Sequence, residues 1–209
     1  MTPAKMDRRV ERTRAALMHA FVHVMHTSGY DTCTVEQIAE QANVGRSTFY
    51  MHYTGKEDIL RDAMKRPMTV IAAIAGGDVS AEQIAPQMEH FRLHRQLNRV
   101  FFTPPVRAVR VKVLAELIQP RITKLSRALG ARPVVPLAFV AMQVAEAQES
   151  LIHNWLFGHN AVTPLDAAAA MIASTRGVLG ALLKVPANVP LLIPGERLQF
   201  RMMHKKEHS

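Results

Sequence analysis

Thr34-Val-Glu-Gln-Ile-Ala-Glu-Gln-Ala-Asn-Val-Gly-Arg-Ser-Thr-Phe-Tyr-Met-His-Tyr-Thr-Gly-Lys56 reads as two short helices joined by a tight corner. Thr34 offers a hydroxyl oxygen to an orphan N–H at the start of the first helix, and Gln37 is placed to reach back as in a capping box. Val35, Ile38, Ala39 and Ala42 fall at helical spacing and make a narrow apolar stripe that needs a partner. Asn43 tolerates left-handed backbone at the corner, and Val44 plugs it. Gly45 and Ser47 precede a compact helix whose Phe49 points inward, leaving Arg46, Ser47, Thr48, Tyr50 and His52 outside. An outward set of donors with no acid among them suits phosphates and base edges, the layout of a DNA-reading helix-turn-helix.

The flanks complete a three-helix unit. Residues 14–28 form an amphipathic helix with Leu17, Ala20, Phe21, Val24 and Met25 on one side, closed by Gly29 as a C-cap with Tyr30 packing back. Lys56-Glu-Asp-Ile-Leu starts a further helix with acids in its first turn, where the helix dipole favours them.

These residues resemble the tetracycline-repressor (TetR) family of bacterial transcription regulators. The matching string runs from Thr13 through Gly29-Tyr30, Thr34-Val35, Ile38-Ala39, Ala42, Val44, Ser47-Thr48-Phe49-Tyr50, His52-Tyr53, Lys56-Glu57 and Leu60, about fifty residues in all. Two positions depart from the family pattern: Asn43 stands where a glycine is usual, and Cys33 where the first threonine of Thr-Thr-Val is usual. Neither removes a donor that would meet DNA. The resemblance implies that Arg46, Ser47, Thr48, Tyr50 and His52 read the operator while Thr34 and Lys56 grip phosphates. It also implies a homodimer formed through the last two long helices, and a small-molecule effector bound in the carboxy-terminal part.

The 209 residues suffice for one good core or two modest ones, and 48% hydrophobic residues with only 6% aromatic must fill it with aliphatic side chains, Ala and the 12 Met. No stretch alternates with a two-residue period, so the chain reads as all-α. Charges at the amino terminus leave no signal-peptide core, and the longest apolar stretch, 134–142, is too short to span a bilayer and contains Pro136. A soluble protein of the bacterial cytoplasm is expected, with no membrane partner. The single Cys33 excludes an intramolecular disulfide and reads as a buried, inert thiol. Net charge is +9, which suits an anionic partner. Residues 1–66 hold ten Lys and Arg against eight acids, whereas 92–132 hold ten against one, so the basic focus lies outside the helix-turn-helix.

Arg66-Pro67 reads as the end of the fourth helix, and Gly76-Gly77 followed by Ser80-Ala-Glu-Gln as a break and a fresh capping box. The domains are expected at 7–66 for DNA binding, 67–185 for effector binding and dimerisation, and 186–209 as a Pro-rich, basic tail. Within the second domain the pattern predicts helices near 81–98, 106–129 with a kink or division at Pro120, 135–157, and from Thr163-Pro164 to Leu183. The last two carry many small residues, among them Ala168 and Gly177, that let helices approach closely, and pairing with a second copy into a four-helix bundle would cover them.

The effector cavity is expected among Phe91, His94, Phe102, Leu114, Leu117, Phe139, Met142, Gln143, Glu146 and Trp155, bulky apolar residues with a few polar ones to orient a hydrophobic or anionic ligand. Ordinary core packing explains the apolar members as readily. Arg92, Arg95, Arg99, Arg107, Arg110 and Lys112 stand largely free of acids in sequence, and either line a solvated surface or bind an anion. His19, His23 and His26 share a stripe, and His90 and His94 form an i, i+4 pair, but no carboxylate is spaced to complete a metal site, and no metal or cofactor is expected. There is no glycine-rich phosphate loop, nucleophile elbow or His-Glu-x-x-His string, so an enzyme is not expected. Glu146 and Glu149, at i, i+3, read as serving a pocket or a dimer salt bridge. The competing reading is a protein-binding co-regulator of the same fold that has lost operator binding, favoured only by the near-neutral amino-terminal domain.

Overall fold

The computed structural model describes residues 3–158 and 161–184. The tail expected over 186–209 lies outside them. Within the described residues, regular structure is helical apart from one two-residue ladder. The all-α expectation holds.

Helix α1 (Pro3–Ser28) begins well before residue 14. Its buried face starts only at Leu17, so the apolar stripe carries no signal for the preceding turns. Those turns are built from Lys, Arg, Met and Glu, which favour helix by backbone propensity alone, behind a proline at the first position. Gly29 closes α1 at φ 78, in the left-handed region where glycine carries no steric penalty. Helices α2 (Val35–Gln41) and α3 (Arg46–Tyr50) follow, then α4 (Lys56–Ala72). Leu17, Phe21, Ile38, Phe49, Ile59 and Leu60 are all fully buried and make the core of this unit.

Helix α4 does not stop at Arg66 but runs through Pro67 to Ala72 and tightens into a 3₁₀ turn, Ala73–Gly76. Proline removes one helical hydrogen bond, yet Met64, Met68, Ile71 and Ala72 keep a buried face in phase across it. Tertiary packing outweighs the local break. Pro120 is overridden in the same way: α7 (Pro104–Ala128) is undivided, with Ile118 and Ile122 fully buried on either side.

The helix expected over 81–98 is instead two, α5 (Ala81–Leu93) and α6 (Arg95–Asn98), because His94 leaves helical geometry at φ −104, ψ 17. Phe91 is the last buried residue of α5, and 92–96 are exposed, so nothing holds the helix to a neighbour beyond that point. A 3₁₀ turn, Arg99–Phe102, leads into α7. After it come α8 (Leu137–Phe157) and α9 (Pro164–Leu182). An antiparallel ladder of β1 (Arg132–Pro133) with β2 (Leu183–Lys184) clips the entry of α8 to the exit of α9. Helix α7 is the central element, packed along α4 on one side and α8 on the other, while α9 packs on α5 and α8.

Candidate DNA interface and effector groove

Thr34 caps α2: its hydroxyl oxygen accepts from the Gln37 amide at 3.2 Å, and the Gln37 side chain accepts from the Thr34 amide at 2.9 Å. The capping box fixes where α2 begins. Asn43 takes φ 53, turning the chain so that the Val44 amide donates to the Ala39 carbonyl at 3.0 Å. Helix α3 is only one and a half turns long and cannot hold itself in water. Phe49 anchors it, fully buried, with its ring edge-on to Tyr50 at 5.6 Å and tilted against Tyr53 at 5.8 Å. Around that anchor Arg46, Ser47 and Tyr50 are exposed while Thr48 and His52 are half-buried at the rim.

Two of the expected contact residues have partners that sequence reading did not supply. Arg46 donates to Glu36 of α2 at 2.9 Å, both side chains well exposed. Lys56 points inward: its ammonium donates to the carbonyls of Tyr30, Asp31 and Cys33 at 2.9, 3.2 and 3.1 Å and lies 4.7 Å from the centroid of the Tyr30 ring. All three donors of the ammonium are used on the corner between α1 and α2. A second tie joins α1 to α4, where Arg14 forks onto Asp62 at 2.7 and 3.1 Å and Tyr53 donates to the same carboxylate at 2.9 Å. Burial works to raise the Asp62 pKa, but the hydrogen bonds from Arg14 and Tyr53 outweigh it and hold the carboxyl below its ordinary range. Burial, with Asp62 beside it, pushes the Tyr53 phenol up to about 12. Cys33 is buried, and burial raises its thiol against the opposing pull of Lys56, the environment of an unreactive cysteine.

Residues 17–63 match the family model for bacterial regulatory proteins of the tetR family. The amino-terminal unit is of the TetR type. An uncharacterized HTH-type transcriptional regulator, YxbF of Bacillus subtilis strain 168, is 28% identical over 140 residues, 66% of this chain and 33% of that protein. The HTH-type transcriptional regulator TcmR of Streptomyces glaucescens is 32% identical over 88 residues, 42% of this chain and 36% of TcmR. The matches thus span about a third of the length of these curated relatives. A TetR transcriptional regulator from Streptococcus agalactiae 2603V shares the fold with a TM-score of 0.55 at 20% identity, over 83% of this chain and 99% of that one. Beyond its TetR-type unit, therefore, the chain shares with that structure the arrangement of helices rather than the side chains that line them.

The carboxy-terminal half holds a groove of about 510 Å³ between α7 and α8, open to one side. Phe102, Pro104, Arg107, Ala108, Val111 and Lys112 line it from the first helix and the turn before it, and Met142, Glu146, Ser150 and His153 from the second. Of the residues expected to form a cavity, the structure brings Phe102, Met142 and Glu146 together here. The others lie elsewhere: Phe91 is in the core, Leu114 is fully buried and Leu117 half-buried on α7, and His94, Phe139 and Gln143 are exposed. Trp155 is buried and donates its indole N–H to the Val162 carbonyl at 3.0 Å. Ser150 and His153 went unnoticed, although with Met142 and Glu146 they occupy positions i, i+4, i+8 and i+11 of α8, a single helical face.

The basic run is less free of acids than its sequence suggests: Arg92 forks onto Glu89 one turn earlier in α5 at 2.7 and 2.8 Å, and further acids come from α8. Arg107 donates to Glu146 at the groove, and Arg110 to Glu149 at 2.9 Å in the interior, where the two are 2% and 1% exposed. Arg110 also donates to the Phe101 carbonyl at 3.2 Å, and its guanidinium lies 3.8 Å from the centroid of the Phe102 ring. Burial pushes the Arg110 pKa down and the Glu149 pKa up, and their mutual attraction opposes both shifts. Glu146 and Glu149 thus each find a partner within the chain. Arg110 is no surface residue but a buried cation.

Proposed function

We propose that the chain is a transcriptional regulator that binds a palindromic operator as a homodimer, acting as a repressor in the cytoplasm and controlled by a small molecule held in its carboxy-terminal half. Residues 7–66 serve as the reading domain and 67–185 as the effector and dimerisation domain, with α4 crossing the division. The observation that carries the reading is α3. A helix too short to persist alone is pinned by Phe49 and turns Arg46, Ser47 and Tyr50 outward, with Thr48 half-buried at their rim. Thr34 stands exposed at the start of α2.

Dimerisation is supported by what α8 and α9 leave uncovered. Phe139 is 53% and Leu165 44% exposed, and Ala169, Ala170, Ala173, Gly177, Gly180 and Ala181 are exposed along α9. By length and composition α9 is apolar enough to cross a membrane, yet Ala168, Met171 and Thr175 are buried against the same chain. An equivalent pair of helices from a second copy covers such a face by a two-fold axis. Control is supported by the path between groove and reading head: α7 carries Arg107 on its groove side and Glu116 toward α4, where Arg61 pairs with it. A ligand that favours one position of α7 then favours one position of α4.

Enrichment of duplexes from a random pool, followed by sedimentation of the bound species, tests the reading. The expected product is a set of inverted half-sites separated by one helical turn or a multiple of it, each bound by two chains. No enrichment of symmetric sequence, with a protein partner retained instead, would establish the co-regulator reading.

A further inference from the structure

The walls of the α7–α8 groove differ in chemistry from one end to the other. At one end the Phe102 and His153 rings lie tilted at 53° with centroids 6.3 Å apart, and Phe157 closes edge-on to Phe102 at 5.1 Å. Phe102 is held from behind, because the buried Arg110 guanidinium lies over its ring. A ring fixed in this way is a preformed surface for a flat apolar group. Ala108, Val111 and Met142 continue the lining as aliphatic surface.

The charged part is Arg107, Lys112 and Glu146. Among the described residues Lys112 makes no ion pair, and Glu146 is the single acid on the lining, so two cations face one anion. The Arg107–Glu146 pair is 37% and 45% exposed and uses one nitrogen of the guanidinium. An ion pair so open to solvent is easily exchanged. The planar fork of Arg107 matches a carboxylate in two parallel hydrogen bonds, a better geometry than the single contact it now has.

We infer that this groove binds an aromatic carboxylate of one or two fused rings, its carboxylate on Arg107 and Lys112 in place of Glu146 and its ring system against Phe102 and His153. The assignment names the ligand class for the effector control proposed above and rests on that reading. A volume of about 510 Å³ accommodates such a molecule. Neutral aromatics gain only the apolar half of the site, and aliphatic carboxylates of two or three carbons only the charged half.

The test is calorimetric titration of the full chain, without DNA, with 1-naphthoate, 1-naphthamide, 1-naphthylmethylamine and acetate. The naphthoate binds, and the amide, amine and acetate each bind at least about tenfold more weakly. Arg107→Gln lowers naphthoate affinity about tenfold or more. Glu146→Gln raises it severalfold, because the competing carboxylate is gone; a residue needed only for folding would not act in that direction. Equal affinity for naphthoate and naphthamide overturns the proposal, as does unchanged affinity in Arg107→Gln or no binding of naphthoate at millimolar concentration. A separate measurement of DNA retention with and without naphthoate keeps the two failures apart: binding that depends on Arg107 but leaves retention unaltered upholds the site and refutes effector control.

Discussion

Single residues carry the least expected features of this chain. The basic run over 92–132 was legible as a run, but its chemistry was not, because Glu146 and Glu149 meet Arg107 and Arg110 only after α8 folds onto α7. Removing one member of the interior pair leaves a buried charge without its counterion: Glu149→Gln is expected to cost about 3–5 kcal/mol in denaturant unfolding, whereas Arg110→Met combined with Glu149→Leu should recover most of that loss. Lys56→Ala, which abandons three carbonyls at the α1–α2 corner, should cost about 1–3 kcal/mol in denaturant unfolding, and because its ammonium is spent there it should leave the salt dependence of DNA binding unchanged. For Asp62 the direction of the pH effect follows from its lowered pKa. The ionised carboxylate contributes stability that is present above the ordinary carboxylate range and is lost as pH falls through the folded-state value. Asp62→Asn is therefore expected to be less stable at neutral pH and to show a flatter acid limb when the melting temperature is followed from pH 6 to pH 2.

Elements divide by what sets their limits. The ends of α2 follow from local chemistry: the Thr34–Gln37 box and the left-handed Asn43 could both be read from the string itself. The ends of α4 and α7 follow from burial across a proline, and no local signal at Pro67 or Pro120 reveals which neighbour will hold the next turn. Helix α5 shows the reverse: residues 92–96 have good helix formers but no surface to rest on. The groove was half legible for the same reason. Its α8 face has a regular spacing, but a face becomes a site only when another helix lies opposite. For α3, Arg46→Ala should change which operator sequences are preferred while leaving the melting temperature in place, since the bond to Glu36 that it breaks lies in open solvent. Glu36→Gln frees Arg46 and should tighten DNA binding. Parallel selections from one random pool would show both effects, and identical enriched sequences for wild type and Arg46→Ala would remove Arg46 from the reading surface.

At the scale of the whole molecule the small residues of α9 fall into two classes that sequence did not separate. Ala168 is fully buried within the chain, whereas Gly177 is exposed on the opposite face. Gly177→Arg should therefore keep the fold and yield a monomer that has lost operator affinity, while Ala168→Glu should unfold the carboxy-terminal half instead of dissociating it; sedimentation and circular dichroism of the two variants distinguish these outcomes. The latch made by Lys56 bears on how such a dimer would report a ligand. Because the first residue of α4 is fastened to the corner after α1, and Asp62 of the next turns is fastened to Arg14, displacement of α4 carries α1, α2 and α3 with it. The reading head cannot loosen by degrees. In the dimer proposed above, that stiffness would convert a push from α7 into a change of pitch between two unchanged probes, and a ligand would then act as a ruler on the DNA, altering the distance measured and leaving the letters each head recognises as they were.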